Sequence, residues 1–187
     1  MSRVDDLVEN YERFVSLPWP SGLAPAQRVW MAVYNPEEER KLLLHLPAFR
    51  TSSSKAGYLW QQIDISRVFE NWMAQHEYRE AYFDSPDLMK PELVNFFDTL
   101  VAEVRIQIKD LTSPMTIIGI TGIASLYGLG ESVKVSGLVE AVQGDVEGRL
   151  LVFFPGEVDG DNYRLLNAKD GYNYHATLIT AEKGHLI

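Results

Sequence analysis

A chain of 187 residues has the usual size of one domain, and with 46% hydrophobic and 23% charged residues it has the composition of a folded globular protein. Its 26 acidic residues outnumber 17 basic ones, and a net charge of −9 argues against sequence-independent binding to nucleic acid or to anionic lipid. The chain contains no cysteine, which excludes disulfides, thiolate metal sites and cysteine nucleophiles.

The spacing of apolar residues in the first quarter of the chain predicts a helix, a strand and a second helix. The first helix is predicted over Asp5 to Leu17, where apolar residues recur every three or four positions. Val29 to Tyr34 is continuously apolar, which is typical of a strand covered on both faces. Asn35 supplies a capping side chain and Pro36 a first-turn proline, so the second helix begins there. We expect Pro47 to end or kink that helix.

The rest of the chain continues this alternation. The further predicted strands are Tyr58 to Ile65, Met115 to Thr121, Leu150 to Phe154 and, at an edge of the sheet, Tyr174 to Thr180. We expect Ser66 and Ser136 to cap the helices after the second and third strands. A longer helix is predicted over Pro91 to Lys109, whose apolar residues share one face. Gly156 to Asn173 is rich in turn residues and is predicted to be an irregular connection.

This order of elements predicts an α/β fold. We expect a single three-layer domain over residues 1–187, with an N-terminal helix at 5–17 and an α/β core over about 28–180. The sheet would be mostly parallel, with about five strands flanked by helices. Leu111 to Gly130 carries no charge, but a proline and four glycines interrupt it, so it predicts a buried strand and a loop, not a membrane span. With an acidic N-terminal segment that does not resemble a signal peptide, we expect a cytoplasmic protein.

The candidate functional residues follow from this fold, because ligands of open α/β sheets bind outside the carboxyl ends of the strands. The residues at or just after the predicted strand ends are Tyr34, Asp64, Thr121, Ser125, Tyr127, Phe154, Pro155, Gly156 and Glu157. We expect them to contribute to a surface that contacts a partner.

The motifs of catalysis and cofactor binding are incomplete in this chain. After the first predicted strand, Pro36 and the carboxylates of Glu37 to Glu39 stand where a phosphate-binding loop needs backbone amides and a lysine. Gly128 to Val133 contains two of the three glycines of a dinucleotide-binding fingerprint. His76 begins an H-E-x-x-H pattern that lacks its second histidine. We therefore expect no catalytic residue, no metal and no cofactor.

Several stretches of the chain carry a resemblance to one family. They are Trp30 to Glu38 (WMAVYNPEE), Tyr58 to Ser66 (YLWQQIDIS), Thr116 to Tyr127 (TIIGITGIASLY), Leu150 to Glu157 (LLVFFPGE) and Asn162 to Leu166 (NYRLL). In these stretches the chain resembles the BrxB family of bacteriophage-exclusion (BREX) defence systems, with Phe154 to Glu157 the most distinctive part. The resemblance implies a role in anti-phage defence beside a PglZ-type phosphatase-like protein, a BrxC-type ATPase and a PglX-type DNA methyltransferase. It implies no set of catalytic residues.

Three functions therefore compete. We favour a non-catalytic adaptor or structural subunit of a BREX-type complex, which acts through protein–protein contacts and without direct contact to nucleic acid. A degenerate nucleotide-binding module without a phosphate loop is the second, although Glu37 to Glu39 oppose it. A small hydrolase or nuclease that acts through Asp64 and Glu157 at strand ends is the third.

Overall fold

The computed structural model describes residues 3–160, 162–166, 168–172 (as backbone) and 176–182. Its α-helices are α1 (Arg3–Val15), α2 (Glu39–Lys55), α3 (Val68–Gln75), α4 (Arg79–Asp84), α5 (Leu93–Leu111) and α6 (Val135–Val142). Its strands are β1 (Val29–Tyr34), β2 (Leu59–Asp64), β3 (Thr116–Thr121), β4 (Arg149–Asp159), β5 (Asn162–Leu165), β6 (Ala168–Tyr172) and β7 (Thr177–Ile179). Short 3-10 helices precede β1, α2 and α5 and follow β3 and α6.

Five strands form a parallel sheet in the order β2-β3-β4-β1-β7. The central pair aligns Val29 with Leu150 and Tyr34 with Pro155. Beyond this point β4 continues and pairs antiparallel with β5, which pairs antiparallel with β6. The prediction of a mostly parallel sheet of about five strands flanked by helices is confirmed.

Helices cover both faces of the sheet and create two cores. Successive side chains of a strand point to opposite faces, and in β1 Met31 enters one core whereas Trp30 enters the other. The first core contains α5 and α6, and the second contains α1 and α2. The connection from β1 to β2 crosses the sheet in the opposite direction to those from β2 to β3 and from β3 to β4. Because crossover connections between parallel strands are right-handed, this reversal of direction places α2 on the face opposite α5 and α6.

The helix α2 does not end at Pro47, so the expectation that it ends there is wrong. The helix continues to Lys55, and its second half is held by buried contacts. The ring of Phe49 packs edge-on against Phe153, with 4.9 Å between ring centroids. The hydroxyl of Ser53 lies 2.7 Å from that of Tyr11 on α1. Burial of this half offsets the one helical hydrogen bond that proline cannot donate.

The segment 156–173, predicted to be irregular, contains the end of β4 and the strands β5 and β6. The prediction is wrong because Gly160 lies in the turn between β4 and β5, whereas Asn162, Asp170 and Gly171 lie within the strands β5 and β6. Tyr163 and Leu165 are buried in the core of α5 and α6, which holds β5 against the sheet. This addition lengthens one wall of the carboxyl edge of the sheet.

Two predicted helix caps are also wrong. The backbone N–H and the hydroxyl of Ser66 both donate to the carboxylate of Asp64 at 3.0 Å, and α3 begins without a side-chain cap. Ser136 lies inside α6. The short helix α4 was not predicted, since six residues are too few to display a helical period. At the predicted edge strand, Tyr174 and His175 lie outside the described residues, and β7 takes the predicted edge position.

Candidate functional site

A cleft of about 630 Å³ opens at the carboxyl ends of β1, β4 and β7. After β1 the chain leaves towards α2 on one face of the sheet, whereas after β4 it leaves towards β5, which packs into the core of α5 and α6 on the other. Adjacent strands whose connections depart to opposite faces leave a crevice between them, which is the usual ligand position in open α/β sheets. The cleft is therefore the topological switch point of this fold.

Tyr34 forms the floor of the cleft at the end of β1. It is 7% exposed, and its hydroxyl donates to the carboxylate of Glu39 in the first turn of α2. Burial raises the pKa of the Tyr34 hydroxyl, and Glu39 raises it further. The hydroxyl therefore keeps its proton and fixes the start of α2 against β1.

The turn between β1 and α2 uses its own hydrogen-bond donors. The side-chain oxygen of Asn35 accepts a hydrogen bond from the backbone N–H of Glu37 at 2.9 Å. The backbone carbonyl of Asn35 accepts a second one from the backbone N–H of Glu38, also at 2.9 Å. Pro36 has no N–H to give. A phosphate at this position would need such amides, and here they are already paired within the turn.

Carboxylates dominate the charge of the cleft. Its described lining contains Glu38, Glu157 and Glu182 and one guanidinium, that of Arg3. Arg3 lies 3.7 Å from Glu182 across the mouth of the cleft. One carboxylate oxygen of Glu38 is buried and has no hydrogen-bond partner among the described residues. This arrangement attracts a cationic group and repels phosphate.

The wall after β7 is positioned by α1. Asn10, which is 8% exposed, donates through its side-chain amide to the backbone oxygen of Thr180 at 2.6 Å and to that of Glu182 at 3.3 Å. These contacts join residues about 170 positions apart in the chain. The N-terminal helix thus holds the third strand end of the cleft in place.

The residues predicted from the sequence divide into two groups at this edge. Tyr34, Gly156 and Glu157 line the cleft, and of these Glu157 is exposed. Phe154 and Pro155, just before them in β4, are buried and support the wall from below.

The second group lies at the ends of β2 and β3. Asp64 aligns with Thr121 in the sheet, and Thr121 is buried. Ser125 donates through its hydroxyl to the carbonyl of Gly122 at 2.7 Å. Tyr127, which ends this turn, is 41% exposed. A partner at this edge would therefore meet Asp64 and Tyr127 on one side and Glu157 on the other.

Asp64 and Glu157 do not meet. Asp64 on β2 pairs with Thr121 on β3, and Ile120, the residue before Thr121, pairs with Val152 on β4. Glu157 on β4 therefore lies two strands away from Asp64 and well beyond it along the strand direction. At about 4.8 Å between strands and about 3.3 Å per residue, their backbones are about 16 Å apart. The pair cannot share a water or a metal ion, which removes the geometric basis for a hydrolase that uses both.

Sequence reasoning missed several members of the cleft, among them two charged residues. Arg3 and Glu182 come from the two ends of the chain, and no local pattern connects them. Glu38 was recognised as a helix-terminal charge that opposes phosphate, but its place in a cleft follows from the neighbouring β4 and β7.

No protein-family model, no curated protein and no solved structure matches this chain. Among the residues that the structure describes, no three His, Asp or Glu side chains are placed to hold a metal ion. In the same ranges no helix has the length and apolar character that a membrane crossing requires. The fold and the cleft define a class, a three-layer α/β protein with a parallel sheet and an acidic crevice at its switch point.

Proposed function

We propose that this protein is a non-catalytic adaptor subunit of a BREX-type anti-phage defence complex, and that it contacts a partner protein through the carboxyl edge of its sheet. The BREX assignment rests on the resemblance to the BrxB family. The partners it implies are a PglZ-type phosphatase-like protein and a BrxC-type ATPase, and the complex would work in the cytoplasm. The contact requires no direct binding of nucleic acid.

The observation that carries the contact surface is the chemistry of the cleft. At the position where a nucleotide-binding sheet presents free amides, this chain presents paired amides and carboxylates. An acidic crevice of this size accommodates lysine or arginine side chains of a partner, because opposite charges steer association and select the partner. Tyr127, exposed at the same edge, supplies the kind of aromatic anchor that interfaces favour.

The first test is co-purification of the tagged protein from cells that express the neighbouring genes. We expect a PglZ-type or BrxC-type subunit to be retained in stoichiometric amount. We expect Glu157→Lys to lower its recovery by about 10-fold or more, since reversing a charge in contact with a cationic partner replaces attraction by repulsion. Glu157 is exposed, so the variant should keep the melting temperature of the wild type.

The matched control is Glu103→Lys, which makes the same charge change on the exposed side of α5, away from the strand ends. It should retain the partner at the wild-type level. A wild-type protein that is recovered alone would refute the adaptor function. A retained partner that tolerates Glu157→Lys as well as Glu103→Lys would refute the cleft as its contact surface.

One observation favours a second function, a degenerate nucleotide-binding module. The cleft occupies the switch point, where sheets of this class bind nucleotides. Titration of the purified protein with magnesium ATP separates the two: the adaptor proposal expects no binding at physiological nucleotide concentration. Saturable binding that Glu38→Gln strengthens would support the nucleotide module.

A further inference from the structure

A second pocket, of about 500 Å³, lies at the opposite end of the sheet, where β1, β4 and β7 begin. Its walls are apolar and aromatic: Phe14, Leu17, Trp19, Leu23 and Trp30. Trp19 and Trp30 meet edge to face with 5.7 Å between ring centroids, so the aromatic wall is built by packing within the chain. A cavity of this size and character is typical of sites for small organic ligands.

Arg149, the first residue of β4, places a guanidinium in this apolar pocket. It is 5% exposed, and its guanidinium carbon lies 4.4 Å from the centre of the Trp19 ring. Two of its N–H groups donate to backbone carbonyls, to that of Gly148 at 3.0 Å and to that of Pro20 at 3.4 Å. Among the side chains that the structure describes, no carboxylate pairs with it. Burial lowers the pKa of Arg149, and the nearby Arg28 lowers it further.

Two further features show that positive charges and hydrogen-bond donors outnumber hydrogen-bond acceptors around this pocket. Arg28 makes no ion pair with a described side chain and gives a hydrogen bond to the carbonyl of Val146 at 2.9 Å. The indole N–H of Trp19 is buried and has no hydrogen-bond partner among the described residues. Buried charges in proteins are nearly always paired. The chain contains 26 acidic residues, yet no described carboxylate pairs with Arg149.

We propose that this pocket binds the carboxylate of an organic acid whose body is aromatic or branched aliphatic, with Arg149 as the counter-ion. The planar guanidinium offers parallel N–H donors that match the two oxygens of a carboxylate. The aromatic walls take the apolar body, and the pocket has too few donors to solvate a phosphate dianion. The same chemistry is presented by a free small acid and by the last residue of a peptide. This site is independent of the acidic cleft and of the proposed function.

The test uses the purified full-length chain and 3-phenylpropionate, with binding followed by tryptophan fluorescence and by NMR. The neutral probe is 3-phenylpropionamide, which has nearly the same shape without the charge. We expect saturable binding of the acid and about 10-fold or greater discrimination against the amide, the usual gain from a charge-assisted bidentate contact. Equal binding of acid and amide would overturn the proposal, and so would the absence of binding, up to about 10 mM, by both this acid and the peptide acid used below.

Variants locate the site on these side chains. Arg149→Lys keeps the charge without the planar fork and should weaken the acid several-fold while the amide is unaffected. Since a change at a buried residue can unfold the chain, Arg28→Gln is the second variant; we expect it to weaken the acid by a few-fold in a folded protein. Arg67→Gln removes one positive charge from an exposed position on the far side of the sheet and should change nothing. Equal weakening by Arg28→Gln and Arg67→Gln would mean general attraction and no site.

A peptide arm identifies the source of the acid. A pentapeptide that ends in phenylalanine is compared with the same peptide amidated at its C-terminus. Tighter binding of the free-acid peptide than of 3-phenylpropionate assigns the pocket to a polypeptide terminus. Binding of the small acid without the peptide assigns it to a free metabolite. Failure of both acids refutes the carboxylate site.

Discussion

Two glycines after β3 share a backbone conformation but differ in their surroundings. Gly122 has φ +82° and Gly128 has φ +81°, a region that side chains with a Cβ disfavour. A Cβ on Gly122 would overlap the backbone nitrogen of Ser66 and lie 2.6 Å from the carboxylate of Asp64. A Cβ on Gly128 would meet nothing. The pair therefore separates the cost of the conformation from the cost of the close approach.

We predict that Gly128→Ala lowers the free energy of unfolding by about 1–2 kcal/mol, the cost of the left-handed conformation alone. Gly122→Ala should lower it by at least about 2 kcal/mol more, because the backbone of Ser66 must also move. Urea unfolding of both variants measures the difference. Equal losses of unfolding free energy in the two variants would mean that the turn after β3 relaxes freely and does not fix the end of β2.

At the scale of single residues, the sequence predicted backbone conformation but not which residues lie in contact in the fold. The glycines of 111–130 predicted a loop after a buried strand, and Gly122 begins that loop in a left-handed conformation directly after β3. That the close neighbour is Ser66 follows from the pairing of β2 with β3, which no short-range pattern specifies.

At the scale of elements, one buried hydrogen bond joins α1 to α2. The hydroxyl of Tyr11 lies 2.7 Å from Ser53 Oγ, which itself donates to the carbonyl of Phe49 at 2.8 Å. Tyr11 is therefore the donor in this pair. Burial raises the pKa of the Tyr11 hydroxyl, so it remains protonated.

We predict that Ser53→Ala destabilises the protein more than Tyr11→Phe. Alanine leaves a buried tyrosine hydroxyl without an acceptor, at a cost of about 1–3 kcal/mol, whereas phenylalanine removes the donor and leaves Ser53 bonded to Phe49, at about 1 kcal/mol. Denaturant unfolding of both single variants and of the double variant gives the coupling. A double variant as unstable as the sum of the single ones would show that the hydroxyls do not interact.

Elements with a strong local signal were predicted well. β1 and the Asn35 turn before α2 have the expected positions because a continuous apolar run and a capping side chain act within a few residues. The hairpin of β5 and β6 was missed, since its strands are short and their stability comes from burial of Tyr163 and Leu165 beneath distant helices. Helix α2 was predicted too short for a similar reason: contacts with α1 and β4 override the local effect of Pro47.

For the whole molecule, strand order predicts a gradient of local stability. Among the strands that the structure describes, β1, β3 and β4 have neighbours on both sides, whereas β2 and β7 lie at the edges. We predict that hydrogen exchange at low protein concentration is slowest in the three inner strands and that about half of the β2 amides, those facing away from β3, exchange much faster.

Hydrogen-exchange mass spectrometry with peptides that cover 59–64 and 116–121 measures this difference. Dilution of the sample serves as the control, because protection by a second copy would fall with concentration. Uniform slow exchange across β2 at every concentration would contradict an open edge and require another element to cover it.

The sequence by itself determined the fold class, the parallel strands and the absence of a phosphate-binding loop, because all three depend on residues close together in the chain. Alternation of apolar runs and capped helices leaves few other architectures. Apart from Tyr34, Gly156 and Glu157, which the strand ends predicted, the acidic cleft was decided by tertiary structure, and so was the whole Arg149 pocket. Each joins the ends of β1, β4 and β7 to α1 or to the segment after it, and their members lie more than a hundred residues apart. Their charge and shape depend on strand order and on the packing of α1. Both depend on contacts between residues far apart in the chain, which a local sequence pattern does not predict.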